Sequence, residues 1–457
     1  MKAVILAAGE GKRLKDLTRN KPKALVEVLG VPLIERAILT AKLAGIREFL
    51  IIVGYLGDKI KDNLGDGSKF GVKIDYIENK EWRKGNATSL LRAREFLKER
   101  FILLMSDHIF DERILKAIIN FKSKSSVVLA VDRRESIRDD TKVLEKNGRI
   151  ISIGKDIEEY NCIDTGIFSC APKIFSYAEN SIRNGRYELS DCIMEAARNA
   201  DARIFDITGI DRYEPKMRKE IQPWWIDIDT VEDIKRAEDI IIENASKNPS
   251  DLLACYVHKP IENKIVSWIA KNFKITPNQI TIVVNILAYI ITALFLFGYL
   301  LPASILTFVV GILDGLDGKL ARVKLRTSRI GLLEHSFDLL FEFSWIIALA
   351  LFIYFSTKDS LPLILGMLIL MFIAFYRSIY DQFRKATGIS LDDSGDFERR
   401  FRRIAGRRNL YNIPIFISIL LSVPLYSLIF ILIHSGITAV VYSTCAIRHL
   451  SEKKWQE

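Results

Sequence analysis

Cysteine is scarce in this chain of 457 residues: five are present, Cys162, Cys170, Cys192, Cys255 and Cys445, with no CxxC pair and no zinc-ligand spacing. Neither a disulfide framework nor a structural zinc site is expected, and the thiols are read as reduced, in a cytosolic or buried setting. No signal peptide is expected either. The opening MKAVILAAGEGKR turns to glycine and charge too soon, which places the first domain in the cytoplasm. Internal repeats and low-complexity tracts are absent. Long apolar runs are missing from the first 250 residues, yet from about Gln279 they alternate with basic clusters. That shift predicts a soluble half joined to a membrane half. The net charge of +10 is carried partly by KLARVKLRTSR and FERRFRRIAGRRN, which sit between apolar runs. Their placement favours an anionic membrane face and argues against nucleic acid.

Residues 1–245 read as short β-rich runs (KAVILAA, FLIIVGY, VKIDYI, FILLMSD, SSVVLAVD) alternating with helical stretches such as VPLIERAILTAKLAG. The alternation predicts a Rossmann-like α/β domain with a mostly parallel sheet covered on both faces. Residues 246–277 form a linker containing an amphipathic, basic stretch from Ile261 to Phe273, expected to lie on the membrane surface. Residues 278–450 are expected to be all-α, with six transmembrane spans near 279–301, 303–325, 330–355, 361–383, 411–427 and 429–447. Lys and Arg crowd the connections 319–329 and 384–409, whereas the opposite loops hold one lysine between them. The positive-inside rule then places both termini in the cytoplasm.

Two motifs carry chemistry. The string LAAGEGKRL follows the first strand, with Gly9 and Gly11 letting backbone amides approach phosphates and with Arg13 and Lys23 supplying positive charge. Extended through Thr18 and Pro22 to LAAGxGxRLxxxTxxxPKxL, it closely resembles the sugar-phosphate nucleotidylyltransferases. The likeness covers roughly residues 1–242. It implies nucleotide contacts from Leu6, Ala8, Gly9 and Gly11, and from Gly85 and Asn86 in KGNATSLLRA. It also implies Mg²⁺ on Asp107 and on Asp227 or Asp229, and sugar-side contacts from Asp164 in DTGIF and Glu188 in YELSD. Mn²⁺ is an alternative ion. For Asp229, a helix N-cap at DTVEDI is the competing role. The implied reaction is in-line attack by a phosphate monoester on the α-phosphorus of a nucleoside triphosphate, with Arg13 and Lys23 stabilising charge.

The second motif is DGLDGKLAR, which sets Asp314 and Asp317 on one helix face in a segment otherwise apolar enough for lipid. Acids in such a place are functional suspects. Gly315, Gly318 and Ala321 remove bulk beside them, and Arg322 can meet a phosphate. The string matches the DxxDGxxAR signature of the CDP-alcohol phosphotransferases, and upstream ITPNQIT resembles that family's first-span entry. The resemblance implies nucleotide contacts from Gly318, Ala321 and Arg322 and a signature continuing as GxxxDxxxD. Counted from Gly331, those acidic positions fall on His335 and Leu339. Two shifted registers restore a pair: Glu334 with Asp338, or Asp338 with Glu342. The first is preferred, with Glu334 as metal ligand and Asp338 as base or further ligand. His335 is open to metal, phosphate or a helix–helix hydrogen bond. Arg407 and Arg408, ahead of the fifth span, are the candidates for an acceptor's phosphate.

A fusion makes chemical sense if the first half makes the donor of the second, which selects CTP. The architecture is similar to a family joining an inositol-1-phosphate cytidylyltransferase to a di-inositol-phosphate phosphate synthase, and this implies inositol 1-phosphate as both alcohol substrate and acceptor. Relatives of the second half are commonly dimers, so a homodimer is expected. A membrane-lipid acceptor, or a membrane half serving only as anchor, remain alternatives.

Overall fold

The computed structural model describes residues 1–136, 140–214, 217, 219–247, 253–326 and 333–452; the side chains of Lys15, Asp16, Glu334, His335 and Glu452 lie outside the described ones. The chain forms two compact units, Met1–Asn244 and Ala245–Glu457.

In the first unit the strands open with β1 (Lys2–Ala7), β2 (Glu27–Val28), β3 (Val31–Pro32), β4 (Glu48–Val53) and β5 (Lys73–Glu78). Next come β6 (Phe101–Met105), β7 (His108–Phe110), β8 (Val127–Asp132), β9 (Lys142–Lys146) and β10 (Arg149–Gly154). The last are β11 (Cys162–Cys170), β12 (Ala202–Asp206), β13 (Tyr213–Glu214), β14 (Lys219–Glu220) and β15 (Trp225–Asp227). Helices α1 (Leu33–Leu43), α2 (Gly57–Leu64), α3 (Asn86–Arg92), α4 (Glu112–Asn120), α5 (Ile174–Arg183), α6 (Leu189–Arg198) and α7 (Val231–Ala245) punctuate them. Nine strands build one sheet in the order β5-β4-β1-β6-β11-β8-β12-β10-β9. β1 pairs in parallel with β4 and β6, and β4 with β5. β1 is buried from Ala3 onward, as expected of a central strand covered on both faces. β11 departs from the alternation: it runs antiparallel between β6 and β8. Its Cys162, Phe168 and Cys170 lie in one core with Val4, Leu103, Leu129, Phe175 and Ile193.

The second unit begins with a π-helical turn, Ala254–His258, and continues into α8 (Lys259–Asn272), which covers the expected amphipathic stretch. Val266 and Ala270 are buried on one side of α8 and Trp268 is exposed on the other. Helices α9 (Pro277–Leu296), α10 (Leu300–Leu313), α11 (Leu316–Val323), α12 (Glu334–Thr357), α13 (Leu361–Thr387), α14 (Asp396–Phe401), α15 (Arg408–Leu420) and α16 (Leu425–Glu452) follow. α9 packs on α10 and α12, α13 on α12 and α16, and α15 on α10 and α16. α9 starts as TPNQ predicts: Thr276 is the N-cap, Pro277 follows, and Gln279 closes a capping box.

Among the described residues, five helices are long and apolar enough to cross a membrane. The sixth expected span, 411–427, differs. α15 has 13 residues and contains Pro414, giving a helix of roughly 20 Å against an apolar layer of about 30 Å. The chain breaks after it at Ser422, whose φ is +60°, and the last span becomes the 28-residue α16. Part of the expected linker, 248–252, and part of the first basic loop, 327–332, lie outside the described residues.

Candidate active sites

β1 and β6 are adjacent and end together, Leu6 opposite Met105, with the Ser106 amide donating to the Leu6 carbonyl at 3.2 Å. Their following loops therefore share the carboxyl edge of the sheet, the usual ligand side of such folds. Leu6 and Ala8 are buried beneath the loop. Gly9 is exposed, and a Cβ added there would meet nothing within 4 Å. Gly11 is different. Its φ is +71°, and a Cβ would fall 2.5 Å from the Lys23 Cβ, so only glycine lets the loop lie on Lys23.

Lys23 is the hub of this edge. Its Nζ donates to Asp107 Oδ2 at 2.6 Å and to Asp229 Oδ1 at 2.7 Å, and lies 3.8 Å from Asp227 Oδ1. Burial works against the ammonium, but Asp107, Asp227 and Asp229 together raise its pKa. Arg13 pairs with the other oxygen of Asp229. Asp227 reaches the cluster through a short antiparallel ribbon of β15 with β7, in which Asp227 stands opposite His108. His108 Nδ1 lies 3.0 Å from Asp107 Oδ1 and 3.8 Å from Asp227 Oδ1. Burial would lower the imidazole pKa, but Asp227, Asp107 and Asp164 outweigh it and raise it to about 9. Burial opposes ionisation of Asp107 too, yet Lys23 and His108 hold its pKa below the usual carboxylate range. Burial pushes Asp227 up to about 6, with His108 and Lys23 opposing the rise. Of the two roles expected for Asp229, the cap falls to another residue. Thr230 caps α7, its hydroxyl accepting from the Asp233 amide at 3.3 Å while Asp233 accepts from the Thr230 amide at 2.8 Å, and the Asp229 carboxylate is left to Lys23 and Arg13.

The residues fit a divalent cation. Asp227 Oδ1 is buried without a hydrogen-bond partner among the described residues. Oxygen or nitrogen atoms of Asp107, His108 and Asp227 lie within 4.8 Å of one another, the one such group of three His, Cys, Asp or Glu donors among the described residues.

The flanking walls are built from the other two expected stretches. Gly85 has φ +142°, and a Cβ there would sit 2.4 Å from the Tyr187 carbonyl oxygen, which accepts from the Ala87 amide at 2.8 Å. KGNATS and YELSD therefore abut. Glu188 is exposed and forms a capping box with Asp191 at the start of α6. Asp164 accepts from the Gly166 amide at 2.6 Å, and burial raises its carboxyl to about 6 despite that amide and His108.

In the second unit Asp314 lies at the break between α10 and α11 and Asp317 in the first turn of α11. With Asp338 of α12 they line one cleft, completed by Thr281, Val284 and Asn285 of α9. Asp317 is buried and accepts from the Thr281 hydroxyl and the Gly318 amide. Arg408 Nη2 donates to Asp314 Oδ2 at 2.6 Å, its Nη1 lies 3.7 Å from Asp338 Oδ1, and its guanidinium sits 4.5 Å from the Phe341 ring. Arg407 is the residue before α15, and its Nε is buried without a partner among the described residues. Glu342, buried, does not line the cleft and pairs with Arg377 of α13, while its charge also acts on Arg408. Glu334 opens α12, but its side chain and that of His335 lie outside the described ones. The glycines have separate tasks. A Cβ on Gly315 would meet Glu262 Oε1 of α8 at 3.0 Å, and one on Gly318 would meet Arg322 Nη1 at 3.3 Å. Ala321 is buried, and Arg322 Nε donates to the Ala245 carbonyl at 2.7 Å.

Several participants were not singled out from sequence. His108 stands beside Asp107 in SDHIF but carries no spacing signal. Gly166 of DTGIF is the mark it leaves, for a Cβ there would fall 2.6 Å from His108 Cδ2. Trp225 stacks on the same ring at 5.8 Å and 7°. Asn79, fully buried, donates to the Thr88 and Ser89 hydroxyls, both at 2.9 Å, and accepts from the Glu81 amide at 3.0 Å. Lys319, buried within DGLDGKLAR, reaches Asn263 and lies 3.7 Å from Glu262 Oε2.

A sheet edge with a Gly-rich loop, a buried lysine and clustered aspartates, in one chain with a carboxylate cleft between apolar helices, defines a two-domain transferase of the membrane. Residues 2–244 match the nucleotidyl transferase family and residues 274–395 the CDP-alcohol phosphatidyltransferase family. The chain is 32% identical to the bifunctional IPC transferase and DIPP synthase of Aquifex aeolicus over 356 residues, 76% of this chain and 77% of that one. It is 33% identical to the protein of the same name from Thermococcus kodakarensis over 333 residues, 72% and 71% of the two chains. A solved structure of the inositol-1-phosphate CTP transferase from T. maritima is similar over 52% of this chain and 95% of that one, at 27% identity and a TM-score of 0.44. The chain belongs to the family of bifunctional IPC transferases and DIPP synthases. It is a multi-pass membrane enzyme with a nucleotidyltransferase domain and a CDP-alcohol phosphotransferase domain, both of families that depend on divalent metals.

Proposed function

We propose that the first unit transfers a cytidylyl group from CTP to inositol 1-phosphate, and that the second passes phosphoinositol from the resulting CDP-inositol to another inositol 1-phosphate. The observation that carries the reading is the pairing, in one chain, of the Lys23-centred acid cluster with the cleft of Asp314, Asp317 and Asp338. The names of the relatives support inositol phosphate as the substrate.

In the first step a phosphate oxygen of inositol 1-phosphate attacks the α-phosphorus of CTP, the bond to the bridging oxygen breaks, and pyrophosphate leaves. No protein nucleophile is required. Arg13 and Lys23, held by Asp229 and Asp107, pair with the triphosphate. The backbone of Gly9 and Gly11 admits the phosphates, Gly85 and Asn86 face the nucleoside, and Asp164 and Glu188 bind the inositol side. In the second step the acceptor hydroxyl gives its proton to Asp338 and attacks the phosphorus bearing inositol; the bond to CMP breaks and CMP leaves. Arg408 and Arg407 take the acceptor's phosphate, while Gly318, Ala321 and Arg322 receive the cytidine nucleotide. Asp107 with Asp227 in one unit, and Asp314, Asp317 and Asp338 with Glu334 in the other, would hold Mg²⁺, or Mn²⁺ in its place, which would supply charge neutralisation and orientation of the phosphates. The Lys and Arg asymmetry of the loops supports a cytoplasmic first unit, and the family likeness supports a homodimer in the lipid bilayer.

The test is to give the full chain CTP, Mg²⁺ and a panel of alcohol phosphates and to identify products by mass spectrometry. CDP-inositol, then a water-soluble phosphodiester with CMP, is expected. A product that partitions into organic solvent would replace the soluble acceptor with a lipid, and no turnover of inositol 1-phosphate would overturn the substrate.

A further inference from the structure

His108 is the one histidine of the first unit, and neither the loop motif nor the proposed phosphate chemistry uses it. Its ring is placed with more care than a filler requires. It is half-buried, lies flat against Trp225 at 7°, and sits where Gly166 has no side chain. Trp225 is fixed in turn by its Nε1 donating to Asp132 at 3.0 Å and by the Arg134 guanidinium 4.3 Å away on its ring. The β7–β15 ladder sets His108 opposite Asp227 in register.

The geometry points to His108 as a third ligand of the divalent cation that Asp107 and Asp227 hold, a ligand that tilts the site from Mg²⁺ towards Mn²⁺. Two donors at right angles, each about 2.1 Å from an ion, stand about 3.0 Å apart, and opposed donors about 4.2 Å. Nδ1 of His108 stands 3.0 Å from Asp107 Oδ1 and 3.8 Å from Asp227 Oδ1, within the span of one octahedral shell. Asp227 Oδ1 is buried with no hydrogen-bond partner among the described residues, its nearest cations, Lys23 Nζ and His108 Nδ1, both standing 3.8 Å away. Lys23 approaches Asp107 through the other oxygen, Oδ2; Oδ1 meets His108 Nδ1 in a 3.0 Å hydrogen bond, which an ion between the two would replace. An imidazole nitrogen in the shell favours Mn²⁺ over Mg²⁺, which prefers oxygen throughout.

The inference rests on the reading of the first site as a metal site, and the experiment separates the two. The full chain carrying Asp314→Asn, Asp317→Asn and Asp338→Asn, which strip the membrane cleft of its described carboxylates, is loaded with Mn²⁺ and studied by pulsed electron paramagnetic resonance. A ¹⁴N coupling is expected, replaced by a ¹⁵N coupling when histidine is isotopically labelled; this switch needs no substitution at the site. Adding His108→Gln should abolish the coupling and weaken Mn²⁺ binding about tenfold or more, with a smaller loss for Mg²⁺. Bound Mn²⁺ without nitrogen coupling, or a coupling that survives His108→Gln, overturns the inference and leaves the carboxylate site standing. Mn²⁺ binding untouched by Asp107→Asn overturns the metal placement itself.

Discussion

The two carboxylate sites differ in what fixes them. In the first unit Asp107, Asp227 and Asp229 converge on Lys23 from loops and a ribbon whose positions are set by β-ladders. In the second, Asp314, Asp317 and Asp338 are set by helix spacing, and the described cation that meets two of them is Arg408. A ladder fixes each residue against a named partner. A helix fixes only a direction, and rotating by one position moves a side chain about 100°. That is why the first cluster left open only which of Asp227 and Asp229 takes the metal, whereas the second left open the register of a whole helix.

The comparison breaks most sharply if the sites are not independent. Asp314→Asn is expected to remove the phosphodiester product by about 10³-fold or more while pyrophosphate release from CTP continues, and Lys23→Ala is expected to stop pyrophosphate release by a similar factor. Parallel assays of pyrophosphate, CMP and diester check both; a loss of pyrophosphate release in Asp314→Asn would show the halves to be one machine. The helix register is sharpened next. Asp338→Asn should leave less than about a thousandth of the diester rate. Glu342→Gln, which acts on the Arg377 pair outside the cleft, should keep about a tenth or more, so equal loss in both would restore Glu342 to the catalytic set.

A third substitution probes the sheet side. Asn79→Ala strips partners from Thr88, Ser89 and the Glu81 amide and should cost about 1–3 kcal/mol of stability, read as a lower first thermal transition. The KM for CTP should rise with it. The smallest effect concerns pH. Burial opposes the Asp201 carboxylate, but Ser126, Lys173 and Tyr177 outweigh it and lower its pKa to about 2. A depressed folded value stabilises above the unfolded pKa of about 4, and that stability is lost as pH falls through 2. Asp201→Asn should therefore flatten the acid limb of the melting curve by about 1 kcal/mol.

Much of the first site was legible because its residues are tied to a contiguous string: Gly11, Arg13 and Lys23 stand in one loop, and Asp107 ends a strand. His108, Trp225 and Asn79 were not, because their roles depend on what crosses them from distant segments. Asp314, Asp317 and Asp338 were legible from charge within apolar sequence. The truncated α15 was not, since 411–427 is apolar enough to pass; the helix continues through Pro414 and stops at Leu420, ahead of the left-handed turn at Ser422.

The seating of Gly85 beneath the Tyr187 carbonyl bears on how this enzyme can be changed. KGNATS and YELSD, the stretches proposed to face the nucleoside and the inositol, meet at that contact with no slack, so neither can be enlarged alone. Selection for a different base or a different polyol should return substitutions in both stretches, and libraries that randomise only one of them will sample mostly misfolded loops.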